Sequence, residues 1–334
     1  MMIIVSGANG FLGRYLVHAL AKANLNVIAI GRSTNNADFF RRLGVEYISV
    51  DVSIASEFKK IPNFGIDAFI HLAGLIPSRM IDEQNAKYFE VNTIGTINAL
   101  KFCKDNNINK FVYSTTLYEA INHKGSPISE VMGRSYSLTG DHCLYVLSKI
   151  AAADCVNFYT EEYGMQGIVL RFTGLLGNGR QEGYWKNGLF YSSAFEIFYR
   201  NCVQNKPIEV WGSQQSRKDS LYVKDAVAAI IKCVESPSAK GLYGIGSGLA
   251  RTNLDDANSF VRVFNSFGKD IRILLKPDIP EKILSYVFDI NKAKQELSWA
   301  PQYNFEDIII DYDKETKAGT FILDSIHGSI SKIV

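Results

Sequence analysis

The sequence is poor in the features that mark several large protein classes. Cysteine appears five times in 334 residues (Cys103, Cys143, Cys155, Cys202, Cys233), an odd number and widely spread. No CxxC occurs, and His142 beside Cys143 is the one histidine near a cysteine. A disulfide scaffold and a bound metal are therefore not expected, and each cysteine reads as a buried free thiol packing as a small hydrophobe in a reducing cytoplasm. A surplus of one charge is lacking too. The 36 Lys+Arg and 34 Asp+Glu leave a formal net charge of +2 with both signs interspersed, so no field argues for nucleic acid or a membrane surface as partner. Long apolar runs are missing: the opening Met1-Met2-Ile3-Ile4-Val5 is broken at once by Ser6-Gly7, too short for a signal peptide or for a bilayer span of about 20 residues. Neither an internal repeat nor a low-complexity linker is visible.

What is present is length and apolar content. With 47% hydrophobic residues, a chain of this size folded as one body removes roughly three quarters of its unfolded surface from water and needs no staples. Short apolar runs alternate with helical spacing: strands at 3–5, 27–30, 47–50, 68–72, 110–114 and 167–172, and helices at 11–23, 87–104 and 144–163. Continuous apolar strands between amphipathic helices predict an α/β fold, a doubly wound parallel (Rossmann) sheet covered on both faces. After Arg171 the texture becomes rich in glycine and aromatics (Gly174, Gly177, Gly179, Gly183, Tyr184, Trp185, Gly188), with a helical patch at 193–202, then strands at 220–223 and 242–245 flanking a helix at 224–235. The expected division is a dinucleotide-binding domain over 1–174 with returning segments at about 216–247 and 287–312. A smaller, interwoven C-terminal substrate lobe would occupy 175–215 and 248–286, and 313–334 reads as a tail.

Between the first strand and helix lies Gly7-Ala8-Asn9-Gly10-Phe11-Leu12-Gly13. Glycines let the backbone turn sharply and approach a pyrophosphate, which the free amides and positive end of the helix then hold. The bland alternative is a glycine-rich turn without ligand; the position at a first βα junction favours a dinucleotide. At the end of the second strand, where an NAD site usually places a carboxylate for the ribose hydroxyls, the chain reads Ile30-Gly31-Arg32-Ser33. A guanidinium and a hydroxyl suit the extra phosphate of NADP. NADP is favoured and NAD is the alternative, Arg32 then being an ordinary solvated charge.

Tyr145-Val146-Leu147-Ser148-Lys149 sets a phenol and an ammonium one turn apart on a helix, where side chains at i and i+4 are neighbours. A positive charge stabilises the phenolate and lowers a pKa that starts near about 10, which makes Tyr145 a general acid/base candidate. Chance pairing of two common surface residues is the competing account. The hydroxyls of Ser114-Thr115-Thr116, at the carboxyl end of a strand where ligands sit in open α/β sheets, add weight.

With these residues in place the sequence resembles the extended short-chain dehydrogenase/reductase family, in its nucleotide-sugar epimerase/dehydratase branch. The glycine loop is similar to that family's GxxGxxG, Asp51-Val52 to its adenine-edge motif and His71-Leu72-Ala73-Gly74 to its HLAA. Val91-Asn92-Thr93-Ile94-Gly95-Thr96 resembles the NxxGT segment, and Phe111-Val112-Tyr113-Ser114-Thr115-Thr116 the strand ending in the catalytic Ser/Thr. Tyr145 and Lys149 match YxxxK; Asp289-Ile290-Asn291-Lys292-Ala293-Lys294 and Leu297-Ser298-Trp299-Ala300-Pro301 match the closing signature. The resemblance implies a cofactor site drawn from Gly7, Asn9, Gly10, Phe11, Leu12, Gly13, Arg32, Ser33, Asp51, Val52, Leu72, Ala73, Gly74, Asn92, Ser114, Tyr145 and Lys149. It implies that Thr116 hydrogen-bonds the sugar oxygen that becomes a carbonyl and that Tyr145 exchanges that oxygen's proton. Lys149 would bind the nicotinamide ribose while poising Tyr145, with hydride passing to and from a sugar carbon, most often C4.

The departures bear on the substrate. The Asn expected a few residues after the strand arginine is Gly174, and the expected Arg before an Asp in the later loop is Lys218, with Arg217 one place earlier. These three, with Thr116 and Arg180, are the candidate substrate contacts. The Asp-Glu that follows the catalytic Thr in the dehydratase branch is replaced by Leu117-Tyr118, which disfavours a 4,6-dehydratase. An epimerase of the UDP-hexose 4-epimerase type is expected, with an NADPH-dependent 4-ketoreductase as the alternative enzyme and a non-catalytic dinucleotide sensor as the alternative of another class. A nucleotide-diphosphate sugar is the implied substrate. The helices 87–104 and 144–163 resemble those that pair in family dimers, so Phe89, Ile97, Leu100, Ala152, Val156 and Tyr159 are either a homodimer interface or core. His71 reads as structural, and Tyr184, Trp185, Phe190 and Tyr191 as packing for the small lobe or a nucleobase platform.

Overall fold

A computed structural model describes residues 1–34, 37–77, 85–123, 127–140, 142–179, 183–186, 189–280 and 283–321, with the backbone alone at 184–186 and 189–190. The chain opens with β1 (Met2–Ser6), α1 (Phe11–Lys22), β2 (Asn26–Gly31), α2 (Ala37–Arg42), β3 (Glu46–Ser49) and β4 (Ala68–His71). A continuous helical run follows: α3 (Asn85–Tyr88), a π-helical stretch Phe89–Ile94, and α4 (Gly95–Asp105). Then come β5 (Lys110–Thr116), α5 (Cys143–Tyr163), β6 (Gln166–Phe172), β7 (Gly174–Leu176), the hairpin β8 (Gly183–Lys186) and β9 (Leu189–Ser192), α6 (Ala194–Val203), β10 (Ile208–Trp211) and β11 (Lys218–Tyr222). The remainder is α7 (Val223–Glu235), β12 (Gly241–Ile245), β13 (Ala250–Arg251), α8 (Asn253–Ser266), β14 (Ile273–Lys276), α9 (Asn291–Leu297) and α10 (Phe305–Ala318).

Seven strands form one sheet in the order β12-β6-β5-β4-β1-β2-β3, and every pairing in it is parallel. The order reverses beside β1, so the crevice at the carboxyl ends of β1 and β4 is the switch point where such sheets take ligands. The apolar runs are the cause. Ile3, Ile4, Val5, Ala29, Ile30, Phe69, Ile70, Phe111 and Val112 are fully buried, as a sheet covered on both faces requires. One face packs on α1 and α7, the other on α4 and α5.

Small sheets make up the lobe near the carboxyl edge: β13-β11-β7 and β10-β14. Asp219 on β11 fastens it to the main sheet. Its fully buried carboxylate accepts from Ser247 N (2.8 Å), Ser247 Oγ (2.6 Å), Gly248 N (3.2 Å) and Phe288 N (3.1 Å). Burial raises its pKa against those bonds. Asp219→Ala strands four donors, each costing about 1–3 kcal/mol. The urea midpoint should therefore fall by the equivalent of at least about 3 kcal/mol; a loss under about 1 kcal/mol would refute the role.

Two expectations need correcting and one pair of alternatives is decided. Residue 313 is not the start of a tail: it lies inside α10, and Phe321 beyond that helix is buried, stacked on Tyr15 of α1 at 3.8 Å. Leu100, Ala152 and Val156 belong to the core against the sheet and are not available to a partner. Of the five free thiols Cys103, Cys202 and Cys233 are buried, while Cys143 and Cys155 are half-buried.

Candidate active site

The glycine loop is shaped by backbone contacts that exclude side chains. Gly7 has φ +69° and lies so close to the end of β4 that a Cβ would stand 2.5 Å from Ala73 N; one on Gly13 would stand 2.3 Å from Gly7 O. The amide of Gly10 donates to Gly7 O (2.8 Å) and closes the turn. No side chain caps α1 and no acidic residue lies in its first turn, so its leading amides and positive end are suited to an anion. Asn9 Oδ1 is buried without a partner, while Asn9 Nδ2 donates to Ser33 O (2.6 Å) and to Tyr47 Oη (2.6 Å). This cradle fits a dinucleotide pyrophosphate. Arg14 buttresses it from behind, reaching Asn9 O (3.2 Å) and Gly179 O (3.0 Å).

Along the carboxyl edge, Arg32 is exposed after β2. Asp51 follows β3, where its Oδ1 accepts from Ser53 N (3.0 Å) and Ser53 Oγ (2.6 Å). Partial burial works against that carboxylate, yet the Ser53 bonds and the charges of Arg32 and Lys87 hold its pKa below the usual range. Leu72, Ala73 and Gly74 follow β4, with Ala73 N donating to Ser6 Oγ (3.4 Å). Val52 packs under Gly95 and its carbonyl accepts from Asn98 Nδ2 (2.9 Å). Asn92 sits in the π-helical stretch, a widening that turns one residue inward. Its Oδ1 accepts from Leu75 N (2.7 Å), and its Nδ2 donates to Leu75 O (3.1 Å) and Ser148 Oγ (2.9 Å). It therefore fastens the segment after β4 to α5. His71 is fully buried against Ser6 Oγ (2.7 Å), and burial with the nearby Lys149 lowers its pKa to about 3, so it stays neutral.

The reacting constellation is brought together. Thr116 ends β5, its Oγ1 accepting from Tyr118 N (3.3 Å), and lies beside Tyr145 from the first turns of α5, whose ionised form it favours. The fully buried Lys149 lies one turn on, its Nζ 4.3 Å above the Tyr113 ring and close to Gly74, where a Cβ would stand 3.6 Å away. Its charge does not bring the Tyr145 pKa down. Burial pushes that phenol up to about 12, with Thr116 pulling the other way, and desolvation takes Lys149 down to about 7. Removal from water outweighs helical adjacency here.

Gly174 of β7 pairs with Ser220 of β11, while Lys218 at the start of β11 pairs with Arg251 of β13. The Tyr286 hydroxyl lies 3.8 Å from where a Gly174 Cβ would be. Arg217 is exposed, its amide taking Ser285 Oγ (3.1 Å) as acceptor. Arg180 lies outside the described residues, as do the side chains of Tyr184, Trp185 and Phe190; Tyr191 is exposed. One group was missed in the sequence. Glu119, three residues after Thr116, is buried and pairs with Arg171 at 2.6 Å. An acidic residue amid Leu117, Tyr118, Ala120 and Ile121 was the only local sign.

The model of the NAD dependent epimerase/dehydratase family matches residues 3–246. The chain belongs to this family. Among curated relatives it is 24% identical over 316 residues to a putative UDP-glucose 4-epimerase of Methanocaldococcus jannaschii, covering 92% of this chain and 95% of that one. The family fold recurs in the UDP-glucose 4-epimerase of Thermotoga maritima, with a TM-score of 0.78, 22% identity and coverage of 95% and 100%. It recurs in the UDP-N-acetylglucosamine 4-epimerase of Bacillus cereus, with a TM-score of 0.77, 25% identity and 98% coverage of both chains. Family membership makes this a nicotinamide-dinucleotide enzyme, and no helix among the described residues is long and apolar enough to cross a membrane.

Proposed function

We propose that the protein is an NAD(P)-dependent nucleotide-sugar epimerase acting by transient oxidation at sugar C4, of the UDP-hexose 4-epimerase type. The observation that carries this is the juxtaposition of Thr116 at the end of β5 with buried Tyr145 and Lys149 on α5, Lys149 Nζ standing 4.3 Å over the β5 residue Tyr113, at the carboxyl edge shared with the glycine loop. The loop amides would hold the pyrophosphate, Lys149 the nicotinamide ribose, and the bound nicotinamide would supply hydride acceptance and return. Thr116 orients the sugar hydroxyl. Tyr145 takes its proton as the carbon is oxidised and gives it back on reduction, and the intervening turn of the keto sugar exposes its other face. Gly174, Lys218 and Arg217, with Arg180, are proposed to line the nucleotide-diphosphate side. Exposed Phe89, Ile94, Phe158 and Tyr163 on the paired helices support a homodimer, which a monomer mass in light scattering would exclude. The free thiols support a cytoplasmic setting.

A 4-ketoreductase is the second reading, favoured by Arg32 at the end of β2 and its suitability for the NADP phosphate. One assay separates the two. An epimerase turns over with a catalytic amount of retained coenzyme, whereas stoichiometric consumption of NADPH would overturn the assignment. A thermal-shift panel of NAD, NADP and nucleotide sugars reports binding to the folded state. NADP should raise the melting temperature more than NAD at equal concentration, and Arg32→Ala should remove the difference; an undiminished difference would clear Arg32 of the role.

A further inference from the structure

Outside the groups used above, the least expected charge near the reacting centre is the Glu119 carboxylate, on the short turn Leu117–Glu119 that follows Thr116. Its Oε1 accepts from Arg171 Nε at 2.6 Å and its Oε2 from Thr115 Oγ1 at 3.1 Å. Both partners of the ion pair are only 3% exposed. Arg171 Nη1 also reaches Ser129 O (3.4 Å), and Glu119 O accepts from Ser135 N (2.8 Å). The pair thus ties the ends of β5 and β6 to the loop that leads to α5. A buried pair of this kind is weak evidence of stabilisation, because desolvation can exceed the Coulomb gain, so a reason for its presence lies elsewhere.

The geometry of β5 supplies one. Side chains two residues apart on a strand share a face and are about 7 Å apart along it. The Lys149 ammonium stands over Tyr113, and Glu119 is bonded to Thr115, the next residue on that face. Carboxylate and ammonium therefore lie about two residues apart on one buried surface, with no water layer to screen them. The ionisable groups facing Glu119 are Arg171 on β6, Tyr113 on β5, Tyr145 and Lys149 on α5, and Arg134 of the following loop, itself paired with Asp154. Among these, Glu119 is the group whose charge favours protonated Lys149 against desolvation.

We propose that Glu119 is a positioning residue of the proton-transfer pair: it is the buried counter-charge of the Lys149 ammonium, and its clamp to Thr115 and Arg171 fixes the strand end that presents Thr116. The proposal rests on the reading of Tyr145 and Lys149 given above. Removing the negative charge beside an ammonium makes it easier to deprotonate, and removing the positive charge of Arg171 leaves Glu119 freer to hold the proton there. The two substitutions should then act in opposite directions, which a merely structural link would not do.

The test is the titration of Lys149 in the full chain, followed through its 13Cε resonance in lysine-labelled protein and assigned by Lys149→Arg. In Glu119→Gln the charged-to-neutral ratio at a fixed pH near the midpoint should fall about three- to tenfold. In Arg171→Gln it should rise, and in Glu119→Asp, which keeps the charge, it should stay near the wild-type value. If either glutamine variant fails to fold, the other still reads the effect. An unmoved midpoint in a folded glutamine variant overturns the proposal. Turnover is measured in parallel: a midpoint that moves in a protein inactive on every nucleotide sugar leaves the counter-charge intact and refutes the catalytic reading instead.

Discussion

Tyr145→Phe is expected to lower turnover by about 10²-fold or more while leaving coenzyme affinity nearly unchanged, the scale of a lost general acid/base. The substitution removes one oxygen from a side chain that is 8% exposed, packed edge-on against Tyr88 with ring centroids 6.0 Å apart, so the ring contacts remain. What disappears is the phenol oxygen beside Thr116, the atom proposed to take and return the proton. The starting point matters: with burial pushing the phenol up to about 12, the free site holds Tyr145 protonated at neutral pH. Steady-state rates on the accepted sugar nucleotide, with coenzyme titration by fluorescence, check the prediction. Unchanged turnover would remove Tyr145 from the reaction.

The second large effect is expected at Gly13. An alanine there would bring a Cβ to 2.3 Å from Gly7 O and 2.8 Å from Ala8 Cα, all backbone with nowhere to go. Helix α1 would have to lift away from the turn that its leading amides complete. Strain of about 1–3 kcal/mol is the usual cost of overpacking, and here it falls on the surface proposed to hold the pyrophosphate. Coenzyme affinity should drop by about tenfold or more, with the far-ultraviolet circular dichroism retained. Gly10→Ala is the control, its Cβ meeting Gly7 O at the milder 3.0 Å. Equal affinity for coenzyme in the Gly13 variant and the wild type would show that the loop is not the anion site.

Much of this architecture was legible in the chain because it is written at short range. Apolar runs at 3–5, 27–30 and 68–72 became β1, β2 and β4 to within a residue or two, since strands buried on both faces admit little else. The glycine turn and the Tyr145–Lys149 spacing are likewise local. The 224–235 helix was read one residue short at its start, where Val223 leaves β11 and enters α7 directly. Other features had no local trace. Glu119 and Arg171 are 52 residues apart, Arg14 and Gly179 165, and Tyr15 and Glu315 300. The tail seemed empty because a lone Phe321 says nothing until α1 offers it Tyr15 and His18, and α2 Phe39.

The sequence by itself determined the parallel sheet, the place of the glycine turn and which residues stand at its rim, because these follow from periodicity and from φ values that only certain residues adopt. The tertiary structure decided which of those groups carry charge. Adjacency on a helix favours an acidic phenol, but exclusion of water by the surrounding layers reverses that for Tyr145 and draws Lys149 toward neutrality. The charge that opposes the loss comes from Glu119, brought to the same face of β5 only by the turn that follows Thr116. Desolvation depends on everything packed around a group, so it exists only once the chain is folded.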